Sequence, residues 1–185
     1  KNIIATQCFD TINNNIIGGK KIKKRVLLLL TFLLVLVSCS GKELYVSGKS
    51  GEKLPKFNLE KISGEKVLSS KLIDKNKKTL ITIAAEWCPH CQVEAPEIQR
   101  FYDEYKDKAN IIVIYSNNQS SKAKVQEFIT KNGYTFPAYY DADGKITTGF
   151  NVEGFPFNMI LDGDKVVKTI EGEVTYEDLK ENLLK

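Results

Sequence analysis

The chain has 185 residues, 42% hydrophobic and 27% charged, which suits one globular domain with a buried core. Its formal charge of +4 resides in residues 1–38, where six basic side chains face one acid, Asp10; residues 39–185 carry 21 basic and 22 acidic side chains. That balance excludes the basic face a nucleic-acid partner needs.

In chain order, none of residues 1–21 is Met, and Met159 is the only methionine of the chain. "GGKK" at 18–21 fits a purine-rich ribosome-binding run ahead of an unusual start at Ile22, so residues 1–21 are expected to be an untranslated leader. Residues 22–38 then read as a signal peptide. A basic cluster ending at Arg25 precedes twelve residues, Val26 to Val37, that are apolar except for Thr31. Such a run has the length of a signal core and falls short of a membrane span. It ends "LVSC", which resembles a bacterial lipobox and marks Cys39 as the lipid attachment point; an ordinary secretory signal with a chance cysteine is the plainer reading. Residues 39–54, rich in Ser, Gly and Lys, are expected to form a flexible tether, and residues 55–185 the domain. Export to an extracytoplasmic, lipid-anchored position also implies an oxidising compartment, where disulfides persist.

Within the domain, "KKTLITIAAEW" (77–87) has the near-continuous apolar run of a buried central strand. The period then changes. Ile98, Phe101, Tyr102 and Tyr105 predict an amphipathic helix from Cys88 to about Lys106, with Pro96 expected to kink it. "NIIVIYSN" (110–117) predicts a second strand. A helix follows, capped by Ser120 or Ser121 and stopped near Asn132–Gly133. "TFPAYYD" (135–141) predicts a short strand, "DADGK" a turn and "ITTGF" one helical turn. The runs 157–162 and 165–170, joined by Gly163 and Asp164, predict a tight antiparallel hairpin. A final helix has Thr175 as its N-cap and Leu179 and Leu183 inside. This order predicts an α/β fold, helices flanking a central mixed sheet.

Of the four cysteines, Cys8 and Cys39 precede the domain, leaving Cys88 and Cys91. Two thiols and one histidine, His90, are too few for a four-ligand zinc site. Gln92 stands where covalent haem attachment wants histidine. A bridge across two residues closes too short a loop to be an effective staple. A redox pair with no further cofactor is what remains. Cys88, at the start of its helix, is the expected nucleophile, since the dipole there favours a thiolate; Cys91, one turn deeper, is the expected resolving thiol.

With "WCPHCQVEAP" (87–96) and "VEGFP" (152–156) in this order, residues 55–185 resemble the thioredoxin superfamily, and within it the membrane-anchored TlpA/ResA-like branch with its W-C-x-x-C-x-x-E-x-P signature. The 65 positions from Cys91 to Pro156 leave room for that branch's insert after the second central strand and too little for the helical domain of DsbA-type oxidases. The resemblance implies a thioredoxin-like fold and roles for several residues. Thioredoxin carries a buried Asp six positions before its first active-site cysteine; Thr82 stands there, and the branch resemblance gives that proton-handling role to Glu94. Pro156 is expected to be cis and to pack on the redox pair, and the backbone of Phe155 to pair with client peptide. Trp87 is expected to shield the pair. Pro89 and His90 are expected to tune it, and "CPHC" is shared with the oxidant DsbA.

The implied function is an exported thiol–disulfide oxidoreductase that reduces disulfide-containing exported proteins through Cys88 and Cys91. Such clients include an apocytochrome c, a methionine sulfoxide reductase or misbridged proteins, with electrons from a membrane thiol reductase. The alternatives are a DsbA-like disulfide-forming oxidase and a binding or chaperone module of the same fold. The Thr- or Ser-containing motif of thiol peroxidases is absent.

Overall fold

A computed structural model describes residues 43–185. The expected leader (1–21), signal peptide (22–38) and lipid attachment at Cys39 lie outside the described residues.

Among the described residues one seven-stranded sheet runs in the order β2-β1-β5-β4-β3-β6-β7. The strands are β1 (Asn58–Lys61), β2 (Lys66–Leu68), β3 (Lys78–Ala84), β4 (Asn110–Ser116), β5 (Ala138–Asp141), β6 (Phe157–Asp162) and β7 (Lys165–Glu171). The helices are α1 (Pro89–Tyr105), α2 (Lys122–Asn132), the short α3 (Lys145–Gly149) and α4 (Tyr176–Leu184). β3, β4 and β5 are parallel; β6 and β7 add antiparallel on one side, β1 and β2 on the other. The mixed sheet of the thioredoxin-like fold is therefore present, with α2 and β5 following β4 where the insert is expected.

Period-2 alternation divides the core between the two faces of the sheet. Leu80 and Ala84 of β3, Ile111, Val113 and Tyr115 of β4 and Ile160 of β6 pack under Ile98 and Phe101 of α1 and Leu179 and Leu183 of α4. Ile81, Ile83, Ile112, Ile114, Met159 and Leu161 pack on the opposite face with Ile146 and Phe150. β3 is covered on both sides, which is why its sequence is apolar almost without interruption. α1 continues across Pro96 to Tyr105. Ser121 is the N-cap of α2, accepting from Lys124 N–H, and Gly133 ends that helix in the left-handed region (φ 68°) that glycine adopts without cost.

Two stretches depart from expectation. The β1–β2 hairpin has no counterpart among the predicted elements; of its residues Leu59 alone is fully buried, too weak a pattern to read as strands. The segment expected as the end of a flexible tether is, from residue 44 to 54, packed on the domain. Val46 and Leu54 are buried, Val46 N–H donates to Gly149 O (2.7 Å), and Gly51 N–H donates to Val166 O (2.8 Å). Gly149 is required there: a Cβ at this position would stand 2.6 Å from Leu44 Cγ. The Ser/Gly/Lys composition concealed three apolar anchors, Leu44, Val46 and Leu54.

Candidate active site

β3 ends at Ala84, and a turn through Trp87 delivers Cys88 to the N-cap of α1, with Pro89 at the helix's first position. Proline is favoured there because its missing N–H has no helical partner to serve. Cys88 N–H donates to Ala85 O (3.1 Å), fixing the turn. Both cysteines are unbridged thiols. The expectation that Cys91 is the more enclosed is met only narrowly, at 4% exposure against 6% for Cys88. Their partners differ more. Cys88 Sγ lies 3.4 Å from the carbonyl oxygen of Phe155. Cys91 faces inward, and its thiol is pushed well up, chiefly by burial and further by Cys88 and the charge of Glu94.

Glu94, one turn beyond Cys91, is 1% exposed. Its Oε1 accepts from Asn158 Nδ2 (2.6 Å) and from Val174 N–H (3.0 Å). Burial raises this carboxyl to about 7 against the opposing effect of those two hydrogen bonds, and the nearby charge of Glu173 adds to the rise. A carboxyl pushed up to about 7, one helical turn from a thiol that resists ionisation and felt by that thiol as a charge, has the ionisation range of a general base.

The Phe155–Pro156 peptide is cis, and Phe155 brings its carbonyl to Cys88. Trp87 stands over the same edge, its ring 6.2 Å from that of Phe155 in a T-shaped arrangement and its Nε1–H donating to Asn118 O (2.8 Å). It remains 41% exposed, so it walls the site without closing it. His90 projects from the first turn of α1 and its Nδ1 is hydrogen-bonded to Glu173 Oε1.

The structure thus brings Trp87, Cys88, Pro89, His90, Cys91, Glu94, Phe155 and Pro156 to one end of β3. It adds Asn158, Glu173 and Val174, which the sequence reading missed. Asn158 had a signal, as the one amide inside the apolar run "FNMILD"; Glu173 and Val174 had none. Among the described residues no group of three or more His, Cys, Asp and Glu is placed to hold a metal ion.

Residues 49–184 match the Redoxin family. The chain is 30% identical over 172 residues to the thiol-disulfide oxidoreductase ResA of Bacillus cereus, covering 88% of this chain and 97% of that one. It is 28% identical over 161 residues to sporulation thiol-disulfide oxidoreductase A of Bacillus subtilis, covering 85% and 96%. The crystal structure of StoA from Bacillus subtilis superposes with a TM-score of 0.60 at 29% identity, over 69% of this chain and 95% of that one.

Proposed function

This chain belongs to the Redoxin family, as a thiol–disulfide oxidoreductase, and on that premise we propose that it reduces disulfides of exported proteins through Cys88 and Cys91. The observation that carries the reading is the different surroundings of the two thiols: Cys88 beside the Phe155 carbonyl, and Cys91 one turn from a buried carboxyl.

The thiolate of Cys88 attacks one sulfur of the client disulfide, forming a mixed disulfide and releasing the other client sulfur as a thiolate. Cys91 passes its proton to the Glu94 carboxylate and attacks Cys88 Sγ, which frees the client's remaining sulfur. The client, two electrons richer, leaves as two thiolates that take up one proton from Glu94 and one from solvent, where the Cys88 proton had gone, and the pair is left as a Cys88–Cys91 disulfide. A membrane thiol reductase, by the same exchange in reverse, returns the electrons. Phe155 offers backbone to an extended client segment, and Trp87 and the Phe155 ring provide apolar walls beside it. Apocytochrome c, a methionine sulfoxide reductase and misbridged proteins are clients of suitable chemistry. We place the reaction outside the cytoplasm, with the protein held on a bacterial membrane through a lipid on Cys39.

One feature favours the opposite direction: Pro89–His90 is the dipeptide of DsbA, whose potential is about 150 mV above that of thioredoxin. Glu173, hydrogen-bonded to His90 Nδ1, puts an acidic side chain on that dipeptide, which supports the reducing direction. Two measurements decide. Cys91→Ala stalls the mixed disulfide, and the trapped protein identifies the client. The reduction potential of the pair should fall in the thioredoxin range, about −270 mV; a value near about −120 mV overturns the reductase reading.

A further inference from the structure

Behind the cysteines lies a chain of three buried polar side chains that ends at Glu94. Thr82 and Asn158 are directly opposite one another in the β3–β6 register, on the sheet face beneath α1 and α4, and both are fully buried. Thr82 Oγ1–H donates to Asn158 Oδ1 (2.6 Å). Asn158 Nδ2 donates to Glu94 Oε1 (2.6 Å) and to Gly172 O (3.0 Å).

The direction of this chain is forced by the donor inventory. Turning the Asn158 amide over would set its oxygen against Gly172 O, which can only accept, and against Glu94 Oε1, which accepts whenever that carboxyl is ionised. The Thr82 hydroxyl, donating to Oδ1, stabilises the orientation that presents N–H to Glu94. Oε1 then has two donors, from Asn158 and Val174, while among the described residues Oε2 receives none. A proton arriving at Oε1 would have to displace one of two hydrogen bonds, whereas Oε2 can take it without that loss.

We propose that Asn158, held by Thr82, is a positioning residue that saturates one oxygen of Glu94 and confines proton exchange with Cys91 to the other. This rests on the reading of Glu94 as proton acceptor and adds how the fold aims it. The position where thioredoxin keeps its buried acid is, in this chain, wired to the acid by an amide. The other ionisable groups facing Glu94 are Cys91 on its own helix, Tyr115 from β4 and Glu173 from the loop before α4. Thr82 and Asn158 carry no charge, so variants of the pair probe the hydrogen bonds alone.

The test uses the full chain, carbon-13 in the Glu carboxyls, and the Glu94 signal assigned by its loss in Glu94→Gln. Thr82→Val keeps the shape and removes the donor; Thr82→Ser keeps the donor. Thr82→Val and Asn158→Leu should tighten proton binding at Glu94 at least about threefold, moving its titration upward. The acid limb of the pH–rate profile for reducing a test disulfide should move with it, and Thr82→Ser should leave both at the wild-type position. A merely structural role would lower the melting temperature and leave the titration in place, and that result overturns the proposal. A titration that moves while the rate limb stays also overturns it. If Asn158→Leu fails to fold, the Thr82 pair decides alone. Glu94→Gln separates the two levels: an unchanged rate profile there defeats the proton-acceptor reading itself. A changed profile there, with Thr82→Val inert, defeats only the positioning role.

Discussion

Glu94 costs the fold something for being where it is. Its carboxyl is raised from 4.5 to about 7 by burial. Between those values the folded domain keeps the proton and the unfolded chain releases it, so stability falls as pH rises through the window and the full cost is present above it. The displacement corresponds to on the order of 3 kcal/mol. Glu94→Gln should therefore stabilise the protein at pH 8 by about 1–3 kcal/mol and abolish the slope between pH 4.5 and 7, read from denaturant unfolding at both ends. A variant that keeps the wild-type slope would show that another group carries it. His90 and Glu173 are a different case. Both are substantially exposed, at 70% and 35% of their side chains, so their pairing adds little to stability.

The N-terminus of α4 links an ordinary capping box to the chemistry. Thr175 Oγ1 accepts from Asp178 N–H (3.2 Å), and Asp178 Oδ2 accepts from Thr175 N–H (2.9 Å). The preceding residue is Val174, whose N–H reaches Glu94. Thr175→Ala should cost about 1 kcal/mol and speed exchange of the Val174 amide proton, as hydrogen-exchange NMR would record. An unchanged Val174 exchange rate would separate cap from site. This element was legible because Thr175, Leu179 and Leu183 fall at cap and core spacing. The central strands and α1 were legible for a similar reason, since burial on both faces or along one stripe leaves a periodic trace. The β1–β2 hairpin left none, being short and half-exposed. Asn158 was visible as an interruption and invisible as a partner, because its meaning comes from Thr82 and Glu94, which lie 76 and 64 residues away.

At the scale of the molecule, the packed segment before β1 extends the domain to residues the composition assigned to a linker. It covers part of β7, an edge strand, through Gly51 N–H to Val166 O and Val166 N–H to Glu52 O (both 2.8 Å). Burying Val46 and Leu54 contributes roughly 1.5–3 kcal/mol each. A chain beginning at residue 55 should accordingly melt well below one beginning at 43, by calorimetry; equal melting temperatures would mean the segment is dispensable. With the first anchor at Leu44, four residues lie between it and Cys39, five Cα steps with a maximum reach of about 18 Å. Were the lipid proposed for Cys39 in place, a leash that short would keep Leu44 within about 18 Å of it. The enzyme would patrol a shallow layer of the envelope and meet substrates presented at that surface ahead of those diffusing farther out.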